Sequence, residues 1–395
     1  MSNFITWKEF LTSKEINWEI TKFGNLFSNR KEKGRQNLPL LSVSGSLGVI
    51  DRDQLEKRDT SNSDKRKYLR VVDGDIVYNT MRMWQGVSGV VQKEGIVSPA
   101  YTVVTPNKYL NKNYAKYLMK NDLLIQMFHK NSQGMVDDTL NLKFPNFASI
   151  DVRIPPLIEQ KKIASILTSV DEVIENTQKQ IDKLQDLKKA IMNELLTRGI
   201  GHTEFKDSEL GRIPKSWEVK KLGELFVLTS GKSKPKRLLS SVMTNLNAIP
   251  VYGGNGVNGY TDSALLDNST IIIGRVGEYC GCVEVTPKFS WITDNALYIK
   301  TVLKQYDMQF LFYLMTFSNL SKLRSKGGQP LVSQQPIHEY QVALPPLNEQ
   351  NSIASIIAAI DSKILVQIQK LSQTQSLKKS LMQDLLTGKV RVSVN

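Results

Sequence analysis

Hydrophobic positions along this chain follow two different rhythms. In the segment 155–197, stripe positions recur at spacings of three and four: Ile163, Ile166/Leu167, Val170, Ile174, Thr177, Ile181, Leu184, Leu187, Ile191 and Leu195. That period lays one stripe along a helix, in the manner of a coiled-coil seam. The segment 345–387 repeats it with Ile353, Ile356/Ile357, Ile360, Ile364, Ile368, Leu371, Leu377, Leu381 and Leu385. Paired prolines precede each segment, Gly199 and Gly388 follow, and neither residue type interrupts either run. Proline is excluded from helix interiors and glycine often ends helices, so the pattern predicts two long helices. Elsewhere the rhythm is short. DIVYN, GVVQ, YTVV, TIIIGRVG, CVEVT and ALYIK are β-rich runs between Gly, Asn, Asp and Pro turns. Helical stretches are expected at 113–131 and 307–326.

The two long segments are copies of one another. PPLIEQKKIASILTSVDEVIENTQKQIDKLQDLKKAIMNELLT (155–197) aligns without a gap to PPLNEQNSIASIIAAIDSKILVQIQKLSQTQSLKKSLMQDLLT (345–387). Upstream, Trp18-Glu19 and KFGNLF (22–27) match Trp217-Glu218 and KLGELF (221–226), and GDIVYNTMR (74–82) loosely resembles STIIIGRVG (269–277). A duplicated unit of globular region plus helix follows. The expected fold is α+β: two homologous mixed α/β globular domains separated by two long helices that form an antiparallel coiled coil, with pseudo-twofold symmetry. The expected division is 1–154 (first globular domain), 155–198 (central helix), 199–213 (polar, glycine-containing linker), 214–344 (second globular domain) and 345–390 (C-terminal helix). Roughly 38 helical residues make a rod of about 57 Å. A lone rod with one apolar stripe is poorly stable and needs a partner. The expected pairing residues are Ile163, Val170, Ile174, Ile181 and Leu184 of the first copy with Ile353, Ile360, Ile364 and Leu371 of the second.

Charge adds a partner to this picture. The chain of 395 residues carries a formal net charge of +14, an excess that favours an anionic partner, of which nucleic acid is the commonest large one. Two cysteines, the lack of a signal-peptide pattern and the lack of 18 consecutive apolar residues lead to the expectation of a cytoplasmic protein without a membrane span. Enzyme chemistry is poorly represented. The three histidines, His129, His202 and His338, are dispersed, and Cys280 and Cys282 have no second pair for zinc. PVYGGNGVNGY (250–260) contains G-x-G-x-x-G at Gly254, Gly256 and Gly259. A dinucleotide site needs a strand before that motif and a helix after it. The following GYTDSALLDNSTIII lacks a helical pattern, so the glycines are expected in a turn. No cofactor and no metal are expected on this chain.

Basic residues cluster in loops instead: NRKEKGR (29–35), DKRKYLR (64–70), SGKSKPKR (230–237) and SKLRSKGGQP (321–330). Lysine and arginine suit phosphates, while Arg, Asn and Gln can pair with base edges. The candidate DNA-binding residues of the first domain are Arg30, Lys31, Lys33, Arg35, Asn79, Arg82, Trp84 and Gln133. Those of the second are Lys232, Lys234, Asn255, Asn258, Arg275, Lys322, Arg324 and Gln329. Trp84 equally suits the domain core, and Arg82 or Arg275 a strand-end ion pair.

The pattern P-P-L-x-E-Q-x-x-I-A-x-I, followed by a long helix ending in LKK…LLT-x-G, resembles the DNA specificity subunit of type I restriction–modification enzymes. ELGRIPKSWEVKKLGEL (209–225) and VYGGNGVNGY are similar to that family too. The resemblance covers essentially the whole chain. It implies a non-catalytic subunit with two target-recognition domains, each reading one half of a split, double-stranded DNA sequence. The helices would fix the gap and dock two methyltransferase subunits. Those partners would bring S-adenosylmethionine and methylate adenine, and restriction (motor-nuclease) subunits would cut unmodified DNA. Two other readings stay open: a scaffold or interaction protein built on the paired helices, and a nucleotide- or S-adenosylmethionine-dependent enzyme using the 254–259 loop.

Overall fold

The structure, a computed structural model, describes residues 6–14, 16–33, 37–45, 47–54, 64–325 and 329–393. The chain divides into two compact units, Met1–Gln178 with Gln369–Asn395, and Lys179–Ile368. The first is built on strands β1 (Phe27–Asn29), β2 (Ile76–Asn79), β3 (Ser88–Val90) and β4 (Tyr101–Pro106), all antiparallel in the order β1-β4-β2-β3. The second has β5 (Phe226–Ser230), β6 (Ile271–Gly274), β7 (Val283–Val285) and β8 (Ala296–Val302) in the order β5-β8-β6-β7. The connectivity is the same, and the loosely matched GDIVYN and STIIIG supply the equivalent strands β2 and β6. In both units the strand that enters the domain pairs with the one that leaves it: Glu19–Lys22 with Asp151–Ile154, and Glu218–Lys221 with Gln341–Leu344.

Four helices matter for the site. They are α1 (Lys112–Leu118), α2 (Leu157–Arg198, 42 residues), α3 (Met308–Ser318) and α4 (Leu347–Leu386, 40 residues). Within the first unit the start of α2 meets the end of α4, with Ile163, Ala164 and Leu167 in one core with Leu385 and Leu386. Within the second the end of α2 meets the start of α4, with Met192 and Leu196 joining Ile353, Ala354 and Ile357. The helices therefore pack antiparallel in each unit. Of the expected pairing residues, Ile163, Ile181, Ile353, Ile360 and Ile364 are buried, and Val170, Ile174, Leu184 and Leu371 are half-buried. The helices are not separate domains, because each half shares its core with a globular domain, through Trp18 in one unit and Trp217 in the other.

The P-P-L-x-E-Q motif has a specific task at this junction. Gln160 Nε2 donates to the carbonyls of Pro155 (2.9 Å) and Tyr109 (3.0 Å), and its Oε1 accepts from Asn111 N (2.8 Å). Gln350 likewise donates to the Pro345 carbonyl (2.9 Å) and accepts from Asp307 N (3.0 Å). Asn111 and Asp307 cap the N-termini of α1 and α3, so the glutamine ties each long helix to the short helix of its domain. The preceding glutamates take the indole N–H of Trp18 (Glu159, 3.2 Å) and of Trp217 (Glu349, 2.9 Å). Past each long helix, Gly199 and Gly388 turn the chain with φ of 69° and 68°, a conformation glycine adopts without strain. The chain then returns to the motif: His202 Nε2 lies 2.8 Å from Glu349, and Arg391 binds Glu159 at 2.7 and 2.8 Å. Gln350→Ala leaves a buried N–H and carbonyl unpaired. It is expected to cost about 1–3 kcal/mol, seen as a lower thermal midpoint. An unchanged midpoint would show that these bonds are replaceable.

Two sequence expectations need correction. Residues 199–213 are not a simple linker: Phe205–Ser208 and Gly211–Pro214 form a hairpin, and Ile213 enters the second core. The stretch 113–131 is two helices, because the Asn121 side chain accepts from Leu123 N and Leu124 N and starts a new helix at Asp122. Helix α4 is by length and composition apolar enough to cross a bilayer, although the sequence lacks an unbroken apolar run. Its Ile353 and Ile357 are instead fully buried in the core of the second unit.

Candidate nucleic-acid interface

Sheet register places several candidate residues of each domain at one equivalent end. In the first domain β1 finishes at Asn29 and β2 at Asn79, where Asn79 faces Tyr101 at the start of β4. In the second, β5 finishes at Ser230 and β6 at Gly274, facing Leu297 and Ala296 at the start of β8. The loops leaving these strand ends carry Arg30–Lys33 and Arg82–Trp84 in one domain, and Lys232–Lys234 and Arg275 in the other. Antiparallel pairing thus gathers loops that are distant in sequence.

In the first domain these loops border a groove of about 430 Å³ whose lining includes Lys31, Met81, Tyr101, Asn141 and Lys143. Lys31 and Lys143 are exposed, giving the groove two exposed cations beside the half-buried Arg30. Lys33, Arg82 and Gln133 are also exposed. Arg82 lies 4.0 Å from Asp138 at the surface, too loose to occupy its guanidinium. Other candidates are tied into the framework. Arg30 Nε is 2.8 Å from the buried carboxylate of Asp75. Asn79 Oδ1 accepts from Met81 N (3.0 Å). Trp84 is half-buried, donates to the Met81 carbonyl (3.0 Å) and meets the His129 ring edge-on. Glu32 pairs with Arg30 and Arg70, and the hydrogen bond from Arg70 holds its carboxyl below the usual range. The NRKEKGR cluster is therefore less cationic than its composition suggests. Arg35 lies outside the described residues.

The second domain sorts in the same way. Lys232, Asn255, Lys322, Arg324 and Gln329 are exposed. Lys234 is held 3.8 Å over the Trp291 ring and 2.8 Å from Ser263 Oγ. Arg275 is half-buried and donates to Ser230 Oγ (3.1 Å). Its backbone also bonds Asn295 and Val332, which brings the 275–277 and 329–332 segments together.

The glycine cluster is a β-hairpin, Ile249–Gly253 with Gly256–Thr261, rather than a strand-to-helix turn. Gly256 has φ 78°. A side chain on Gly254 would meet the Val276 carbonyl at 2.6 Å. Val251 faces Gly259 while Tyr252 faces Val257, so Asn258 is the extra residue of a bulge. Its amide fills the space that a Gly253 Cβ would occupy. Asn258 shapes the hairpin, and both it and Asn255 at the tip are exposed.

A family model described as the type I restriction modification DNA specificity domain matches residues 15–186 and again 214–376. The chain belongs to this family. A putative type I restriction enzyme MjaX specificity subunit of Methanocaldococcus jannaschii is 30% identical over 358 residues, covering 85% of this chain and 82% of that one. The MjaVIII specificity subunit of the same organism is 28% identical over 428 residues, covering 95% and 93%. Among solved structures, the S subunit from M. genitalium shares the fold with a TM-score of 0.63 at 16% identity, over 97% of this chain and 98% of that one. A chain from a structure on assembly and conformational transition of the type I R-M system gives 0.58 at 14% identity, over 94% and 98%.

As a specificity subunit the chain recognises DNA sequence within a multisubunit complex and is the non-catalytic member of it. The site residues that sequence reasoning missed are Tyr101, Asn141 and Lys143 of the groove. Each stands far from the basic clusters in sequence: Tyr101 arrives through the pairing of β4 with β2, and Asn141 and Lys143 flank Leu142, whose N–H bonds the Thr80 carbonyl.

Proposed function

We propose that each unit of this specificity subunit reads one half of a bipartite DNA target, and that α2 and α4 set the gap and dock two methyltransferase subunits. The observation that carries the reading is the repetition of one device. Each unit has the same four-stranded sheet, the same sheet end bearing cationic loops, and the start of one long helix tied to it through Gln160 or Gln350. A 42-residue helix rises about 63 Å, more than one DNA turn of about 34 Å. For docking, the duplicated Leu187 and Leu377 are 47% and 53% exposed, and Leu365, Val366 and Ile368 are exposed on α4. Apolar surface left bare on otherwise paired helices suits a protein partner. In this reading S-adenosylmethionine and adenine methylation belong to the partner, cleavage to restriction subunits, and the complex works in the cytoplasm on double-stranded DNA.

The reading is tested by binding in the presence of the methyltransferase. Sequence-selective, salt-sensitive binding is expected, whereas an absence of DNA preference at every salt concentration would favour a scaffold. Within it, Lys322→Ala and Arg324→Ala should each weaken binding about equally on all sequences. Each should also lower the slope of log K against log salt by about 1. A slope unchanged in both variants would remove these residues from the phosphate contacts.

A further inference from the structure

One side-chain cluster occurs twice, and none of its residues is among the candidate DNA contacts. In the first unit Asp171 on α2 accepts the Tyr117 hydroxyl of α1 at 2.7 Å and pairs with Lys378 of α4 at 2.6 Å. In the second, Asp361 on α4 accepts the Tyr313 hydroxyl of α3 at 2.8 Å and pairs with Lys188 of α2 at 2.6 Å. Each lysine also lies over its tyrosine ring, at 5.8 and 5.5 Å from the centroid. Each cluster therefore joins three elements: a domain's short helix, the long helix that follows that domain, and the other long helix. The aspartates and the lysines are duplicates, equivalent in the two aligned helical segments.

We propose that these Asp–Lys–Tyr clusters are register locks, which fix how α2 lies against α4 and how each recognition domain sits on the pair. The reason lies in the seam itself. Its expected pairing positions are all Ile, Val or Leu, and the buried Thr177 of the same stripe bonds the Val173 carbonyl of its own helix, so the seam tolerates a slide of one helical turn in which one aliphatic side chain replaces another. A polar pair within an apolar seam makes the alternative registers costly. Acid and base come from different helices in both clusters, so a slide of about 5.4 Å parts both pairs at once. The four charged side chains are 24–35% exposed, which distinguishes them from the freely solvated ion pairs that contribute little. Burial works to raise the Asp171 pKa, but the bonds from Lys378 and Tyr117 outweigh it and hold the carboxyl below its usual range. The acid is thus charged at neutral pH. The tyrosine hydroxyl extends the lock to the domain, so helix register and domain placement are set together.

The consequence for DNA rests on the reading that the helices set the gap, and two measurements keep the ideas separable. The first is thermal unfolding of the full chain as Asp171→Asn, Lys378→Met and the double variant. Each single change should lower the midpoint by about 5 °C, and the double should be no worse than either single. Additive losses, or no loss, would overturn the lock. The second is mapping of methylated sites made by the complex. The Asp171→Asn variant should give a spread of gap lengths, about one to two base pairs around the wild-type value. A single unchanged gap would leave the pair a merely structural contact and overturn its positioning role. Wild-type complex that methylates no split site would defeat the functional reading, while the unfolding cycle still decides the lock.

Discussion

Exchange of residues 15–154 for the same region of another specificity subunit should change one half of the recognised DNA sequence and leave the other half and the gap as they were. The structure makes such an exchange feasible, because the domain enters through Glu19–Lys22 and leaves through Asp151–Ile154, two paired strands. Beside the shared apolar core, the polar contacts to the helices include Trp18 to Glu159, Tyr109 and Asn111 to Gln160, and Lys116 and Tyr117 to Asp171. An incoming domain that keeps these residues retains its seat while bringing new loops at the ends of β1 and β2. Mapping of methylated sites reads the result directly. A change in both halves, or in neither, would show that the domains do not read independently.

Lengthening both helices should move the half-sites apart. Seven residues inserted after Gln178 in α2 and seven after Ile368 in α4, at the division between the two units, preserve the phase of the apolar seam. Each helix then grows by about 10.5 Å, or about three base pairs of DNA. The gap is expected to lengthen by about that amount with both half-sites unchanged. Insertion into one helix only should abolish activity, because the seam beyond the insertion no longer faces its partner. An unchanged gap in the doubly extended chain would remove the ruler.

The sequence displayed its helices and its duplication clearly, for a physical reason. Ile163 and Ile353, Glu159 and Glu349, and Gln160 and Gln350 perform the same contact in each unit, so the same residue is kept at each. Where contacts are not repeated, the pattern was weaker. The hairpin at 205–214 lies in a polar segment whose inward residue is Ile213, too little for an alternating signal. Asn121 looked like a helical residue because capping depends on backbone angles, not on composition.

The recognition surface was legible in outline only. The loops at 30–33 and 80–84 do share one sheet end, the loop at 232–234 leaves the equivalent end of the second sheet, and PVYGGNGVNGY is a hairpin turn. Cations in a loop sequence nonetheless do not reveal their partners. Arg30 is held by Asp75, 45 positions away, and Arg275 by Ser230, also 45 positions away. The groove residues Tyr101 and Lys143 carried no local signal at all. A basic loop therefore identified a sheet end rich in cations, while which of its side chains are already bonded depended on long-range pairing.

The central claim is that two separate domains read two separate halves of one site across a gap set by the helices. Its most direct test is mapping of methylated bases in the genome of cells that carry this chain with its methyltransferase. Two short blocks of specified bases, separated by unspecified bases of one fixed number, are predicted. A continuous recognition sequence, or two blocks at variable spacing, would contradict it.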